Sequence, residues 1–180
     1  RRYLRHDFKP DLLLATDMLD LTTVLALTRH ETSHLPVAVY FHENQITYPW
    51  SPEDCDPQHK RDAHYGFINF SSVLAADAVL FNSRYHLESF LQALPGFLKS
   101  FPDYKELGTL PAITRKSRVL PIGLDLKTLD RHRPTEEKRP GPPLILWNHR
   151  WEYDKNPEEF FRALYLLQAE GLSFNVAILG

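Results

Sequence analysis

The stretch from Leu144 to Glu159, LILWNHRWEYDKNPEE, constrains the fold most, because it reads as a strand, a loop and a helix start in immediate succession. Leu144–Trp147 is a short apolar run after a Pro-rich break, the pattern of a buried parallel strand. Asn156 stands where an N-cap belongs, and Pro157 occupies the first helical position, where its missing N–H costs nothing. Glu158 and Glu159 then meet the positive end of the helix dipole. The helix is expected to bury Phe160, Phe161, Ala163, Leu164, Leu166 and Leu167. Gly171 can supply a left-handed C-terminal turn, and Phe174–Leu179 reads as the next strand, so residues 144–180 form a β-α-β unit.

In such a unit the loop leaving the C-terminal end of a strand faces the ligand crevice, and here it carries Arg150 and Lys155. A planar guanidinium fork and a mobile ammonium beside free helix N–H groups suit a diphosphate. The competing reading is two solvated loop cations, with Glu158 and Glu159 occupying the anion-attracting end of the helix.

The same alternation recurs upstream. Asp11–Asp17 reads as a strand, Leu19–Arg29 as a helix, and Val37–Phe41, after the break at Pro36, as a second strand ending at His42 and Glu43. A polar passage from Asn44 to Arg61 holds Tyr48, Trp50 and Cys55, and aromatics on such a loop are candidate substrate contacts. Asp62–Asp77 has a helical pattern, Ala78–Phe81 is a third strand, and Asn82 and Ser83 can cap the helix that carries Tyr85, Leu87, Phe90 and Leu91. Pro95–Lys116 reads as shorter helical pieces, and Arg118–Ile122 as a fourth strand stopped at Gly123.

Leu124–Pro143 contains Pro140-Gly141-Pro142-Pro143 and many charges, and reads as an interdomain linker. The expected organisation is an N-terminal Rossmann-like domain over 1–123, a linker over 124–143, and the start of a second Rossmann-like domain over 144–180. The fold class is therefore α/β. With Arg1 at its start and Gly180 at a strand end, the chain reads as a segment of a longer protein.

At 180 residues, 43% of them hydrophobic, the chain can bury a substantial core, while a net charge of −2 gives no global nucleic-acid footprint. Arg115, Lys116, Arg118, Lys127, Arg131, Arg133, Lys138 and Arg139 nevertheless cluster, as a solvated surface or a local phosphate-binding one. Cys55 is the single cysteine, which excludes an intrachain disulfide and a cysteine-based zinc site and fits a reducing, cytoplasmic compartment. No apolar run approaches the roughly twenty residues that span a bilayer.

His42 and Glu43 stand at a strand's C-terminal end, where a histidine can bind a hydroxyl or pass a proton and a carboxylate can orient it or take sugar hydroxyls. A histidine satisfied by backbone is the plainer alternative. His59, His64 and His86 lack metal-ligand spacing and read as surface histidines. The signatures of serine hydrolases, P-loop NTPases and dinucleotide oxidoreductases are absent.

The series Phe41-His42-Glu43-Asn44, Leu80-Phe81-Asn82-Ser83, Leu120–Asp125 and the Arg150–Lys155 loop resembles GT-B glycosyltransferases of the family 4 type. YFHENQITYP (40–49), HYGFIN (64–69), AADAVLFNS (75–83) and LILWNHRWEYDKNP (144–157) resemble the tRNA-queuosine α-mannosyltransferase group. The resemblance implies two Rossmann-like domains, an acceptor side and a donor side, and retaining transfer of mannose from GDP-mannose to queuosine in the anticodon of tRNA-Asp. It implies His42 and Glu43 as catalytic residues and Arg150 and Lys155 on the donor diphosphate. Asn44, Tyr48, Asn82, Ser83 and His149 become candidate substrate contacts, with no metal or other cofactor required. The family's glycine-rich first loop and its acidic donor motif fall outside these residues, so this segment alone is expected to be inactive. Two other functions fit the same pattern: a GT-B enzyme with another nucleotide sugar and a lipid, polysaccharide or small-molecule acceptor, or a non-catalytic nucleotide- or RNA-binding module.

Overall fold

The computed structural model describes residues 9–49, 51, 55, 63–133 and 141–180. Expectations placed on the basic opening 1–8, on Trp50, His59 and Asp62, and on Lys138 and Arg139 lie outside the described residues. Two compact units divide the chain, one of Arg1–Trp50 and Asp54–Gly123, the other of Leu124–Gly180 with Ser51–Glu53.

The first unit is a parallel sheet of β1 (Leu13–Thr16), β2 (Val37–Phe41), β3 (Ala78–Phe81) and β4 (Ser117–Val119), in the spatial order β1-β2-β3-β4. Each strand joins its neighbour in register, Thr16 opposite Tyr40 and Phe41 opposite Phe81, so the C-terminal ends of β1, β2 and β3 lie side by side. Parallel neighbours require crossovers, and helices supply them. These are α1 (Leu21–Leu27) and α2 (Arg29–Thr32), then α3 (Ala63–Ala75), then α4 (Arg84–Lys99) with α5 (Leu110–Lys116). Val37, Val39 and Phe41 of β2 are buried, as are Val79 and Phe81 of β3, and they meet Phe70 and Val73 of α3, Phe90, Leu94 and Leu98 of α4, and Ile113 of α5 in one core.

Several boundaries differ from expectation, beginning with the first strand, which covers Leu13–Thr16 and not the whole of Asp11–Asp17. The helix expected over Leu19–Arg29 starts at Leu21, where Asp20 caps it by accepting from Thr23 N at 3.0 Å, and breaks at Thr28 into α1 and α2. The Thr28 hydroxyl donates to the Val24 carbonyl at 2.7 Å, the local competition with helix bonding that such side chains offer. Pro95 does not end its helix. α4 runs through it to Lys99, because Phe90, Leu94 and Leu98 are all buried in the core and packing outweighs the lost backbone bond. The fourth strand is shorter than Arg118–Ile122 and starts one residue earlier.

Buried polar groups fasten the sheet to its helices. Asn69 of α3 is 2% exposed, donates Nδ2 to the Asp17 carbonyl at 3.0 Å and accepts from Gln45 N at 2.7 Å. It ties the loop after β1 to the loop after β2. Asn69→Ala is expected to cost about 2–4 kcal/mol, since it strands the buried Asp17 carbonyl at roughly 1–3 kcal/mol and the partly buried Gln45 N–H at about 1 kcal/mol. Urea denaturation of the purified protein measures it, and a loss under about 1 kcal/mol would contradict the accounting. Lys116 donates Nζ to the Leu74 carbonyl at 2.9 Å and the Ala76 carbonyl at 2.5 Å, closing the end of α3, while Arg118 reaches the carbonyls of Arg115 and Ser117. Those two members of the basic cluster are thus engaged with backbone.

The second unit contains α6 (Leu126–Asp130), β5 (Leu144–Asn148), α7 (Pro157–Ala169) and β6 (Asn175–Leu179), with β5 and β6 parallel. α6, capped by Asp125, lies inside the segment expected to be the interdomain linker. Gly171, at φ +79°, ends α7 as anticipated: its N–H bonds the Gln168 carbonyl and Leu172 N–H the Leu167 carbonyl. Burial falls short of expectation. Of the apolar helix residues Leu164 is buried while Ala163 and Leu166 are exposed, and in β5 Trp147 is buried while Leu144 and Leu146 are exposed. A two-stranded sheet with one crossover helix among the described residues has too few layers to cover both faces.

Candidate functional site

Three neighbouring strand ends build the site of the first unit. β1 delivers Asp17, β2 delivers His42, Glu43 and Asn44, and β3 delivers Asn82 and Ser83. A cavity of about 340 Å³ opens there, lined by His42, Glu43, Asn44, Tyr48, Asn82, Ser83 and, from α4, His86. The sequence-derived candidates of this unit therefore meet in one place.

Their roles differ. Asp17 is buried, and its Oδ1 accepts from His42 N at 2.9 Å and from His42 Nδ1 at 3.3 Å, while the histidine side chain remains 53% exposed. Asn82 donates Nδ2 to the His42 carbonyl at 2.8 Å. His42 is thus held from both sides by the adjacent strand ends. Its ring lies 4.9 Å from that of Tyr40, whose hydroxyl is anchored on the Leu120 carbonyl. Glu43 accepts from Gln45 Nε2 at 3.3 Å. Asn44 is buried and spends its Oδ1 on Ile46 N, Thr47 N and the Thr47 hydroxyl, so it shapes the loop that carries Tyr48. Ser83 caps α4 by accepting from His86 N at 3.1 Å.

His86 corrects an expectation: it is 8% exposed, not a surface histidine, because its ring packs edge-on against Phe81 and Phe41. With Asn82 Nδ2 turned to His42, Asn82 Oδ1 accepts His86 Nδ1–H at 3.0 Å, and Nε2 is buried with no hydrogen-bond partner. Burial pushes this imidazole's pKa down, against a smaller upward pull from Asp17. The unfolded chain therefore takes up the proton near pH ~6.5 while the folded chain does not, so stability is lost as pH falls below that value. In urea titrations at pH 7.5 and 5.5, His86→Gln is expected to show a smaller acid loss than the wild type. Equal losses would refute the assignment.

Asp17 was missed in the sequence, and His86 was assigned there to the surface. Asp17 carried a usable signal, an acid just past a strand, as His42 and Glu43 did. His64 is exposed, and no group of three or more potential metal ligands occurs among the described residues.

In the second unit, Arg150 and Lys155 lie on the loop between β5 and α7, as expected. Each already faces a carboxylate: Arg150 NH1 is 3.0 Å from Glu152 Oε1, with the arginine 78% exposed, and Lys155 Nζ is 2.5 Å from Asp154 Oδ2. Asn156 holds the N-cap position but in left-handed conformation, φ 52° and ψ 53°, and its side chain caps nothing. The 3-10 turn Tyr153–Lys155 delivers the chain to that residue with the wrong geometry for an asparagine cap. His149 is exposed, its carbonyl accepting from Trp147 Nε1 at 3.1 Å. Trp147, Trp151, Phe160 and Phe161 form a chain of ring contacts that fastens the loop to α7.

No helix among the described residues is long and apolar enough to cross a membrane. The chain is 33% identical to the tRNA-queuosine alpha-mannosyltransferase of Drosophila melanogaster over 181 aligned residues, covering 97% of the chain and 46% of that relative. It therefore spans about half the length of the relative it matches. Residues 2–124, which include every residue of the cavity, match the family model described as tRNA-queuosine alpha-mannosyltransferase N-terminal, and the chain belongs to that family.

Proposed function

We propose that the protein is a retaining glycosyltransferase of the GT-B type that transfers mannose from GDP-mannose to queuosine in the anticodon of tRNA-Asp. The observation that carries this reading is the coincidence of the family match with the cavity where His42 and Glu43 stand. The first unit takes the acceptor, and the second takes the nucleotide sugar through Arg150 and Lys155.

His42 and Glu43 present an imidazole and a carboxylate to ligand hydroxyls, with Tyr48 and Asn82 at the same cavity. A volume of about 340 Å³ falls in the range of small-molecule sites and suits a nucleoside-sized group. Arg150 and Lys155 neutralise the departing diphosphate, and His149 stands beside them in sequence. Fixed donors aimed at developing charge are often the largest catalytic contribution, and here side-chain cations supply it without a metal ion. A single cysteine and a nucleic-acid substrate fit action in the cytoplasm.

The test uses the full-length protein with a panel of nucleotide sugars and tRNA with or without queuosine, followed by mass spectrometry of the digested nucleosides. A one-hexose gain on queuosine, seen with GDP-mannose alone, is the expected result. Transfer from another donor, or to tRNA lacking queuosine, would overturn the corresponding half of the assignment.

A further inference from the structure

We propose that Asp17 is the positioning residue for His42, fixing the ring in the Nδ1–H tautomer so that Nε2 offers a lone pair to a ligand hydroxyl in the cavity. This inference rests on the reading of His42 as a substrate contact.

The geometry follows from the parallel register. Thr16 and Tyr40 are opposite one another, so the residues leaving β1 and β2 emerge together, and Asp17 N bonds the Tyr40 carbonyl at 3.2 Å. Asp17 is then forced against His42. One oxygen, Oδ1, receives both the His42 backbone N–H and Nδ1. A carboxylate oxygen can only accept, so Nδ1 carries the proton, and a ring holding that single proton has Nε2 as its acceptor.

A purely structural carboxylate explains this arrangement less well. Burying a carboxylate costs free energy unless a charged or hydrogen-bonding partner compensates it, and the side chain that meets the Asp17 carboxylate is this half-exposed histidine. The acid is sealed in, its backbone carbonyl fastened by Asn69, while the ring it holds faces the cavity. Asn82 fixes the same residue from the opposite strand through the His42 carbonyl. The backbone around the imidazole is thereby clamped on both sides and the ring nitrogen is set by the carboxylate. That is the relation of an orienting acid to a working histidine.

The experiment compares full-length wild type with Asp17→Ala, Asp17→Asn, His42→Ala and the Asp17→Ala/His42→Ala double variant. Mannosyl transfer to queuosine-containing tRNA gives kcat and KM, and nitrogen-15 spectra of histidine-labelled protein give the His42 tautomer. Asp17→Ala is expected to lower kcat by about 10- to 100-fold, as loss of a group orienting a functional imidazole does, with KM for tRNA changed less than about threefold. The double variant should be no slower than His42→Ala, because Asp17 acts through the ring. Asp17→Asn can keep an oxygen at the Oδ1 position and should restore most of the lost rate and the Nδ1–H signal.

Losses that simply add, or an unchanged Nδ1–H ring in Asp17→Ala, would overturn the proposal. If Asp17→Ala does not fold, a wild-type His42 ring found in the Nε2–H tautomer overturns it equally, and an Nδ1–H ring retained in Asp17→Asn supports it. Absence of hexose transfer by wild type would defeat the functional reading alone, since the tautomer is measured without substrate.

Discussion

Phe81→Ala is expected to remove about 3–5 kcal/mol of stability, a large share of the roughly 5–15 kcal/mol that a whole domain holds. Phe81 is fully buried at the end of β3, its ring stacked on Phe41 at 5.0 Å and tilted against Phe90 at 5.3 Å. It is also the floor on which the His86 ring stands, at 5.1 Å. Truncation leaves a cavity that strands on both sides cannot close, because β3 is tied in register to both β2 and β4. Phe81→Leu, which keeps most of the volume, should cost less than about 1.5 kcal/mol. Urea denaturation of both variants checks the pair. If Phe81→Ala loses under about 1 kcal/mol, the aromatic cluster is not the keystone of this sheet.

The elements that could be read from the sequence are those whose signals are local. β2 and β3 match their expected bounds, since each is an apolar run closed by polar residues, and Ser83 caps α4 as its hydroxyl type and position suggested. What escaped depends on contacts between distant residues. The continuation of α4 past Pro95 is decided by where Leu94 and Leu98 pack, and the burial of His86 by Phe41 and Phe81, neither of which periodicity within the helix reveals. The pairing of Asp17 with His42 spans two strands and exists because of their register. Asn44, expected as a substrate contact, lies at the cavity, yet its side-chain oxygen is consumed by its own turn. The motif residues meet at one cavity, but which of their side chains remain available there depends on hydrogen bonds that the sequence does not display.

Arg150→Ala in the full-length protein should lower turnover about a hundredfold or more, by analogy with loss of one preorganised donor from a developing anion, while leaving thermal stability nearly unchanged. The separation of the two effects is the point of choosing this residue. Arg150 is 78% exposed and paired with Glu152, and exposed pairs contribute only about 0–1 kcal/mol to folding. Little is therefore lost from the fold when the guanidinium goes. Lys155 is a less clean probe, because Asp154, its partner, is 10% exposed, and removing the ammonium leaves a largely buried carboxylate without that compensation. If Arg150 takes the donor diphosphate as proposed, Glu152 competes with it for the guanidinium, and Glu152→Gln should strengthen GDP binding where Arg150→Ala weakens it. Opposite movements in calorimetric titrations with GDP, with melting temperatures held within a few degrees, would place both side chains at the donor phosphates. Wild-type turnover and unchanged GDP affinity in Arg150→Ala would remove this loop from the donor site and leave its cations as solvated charge.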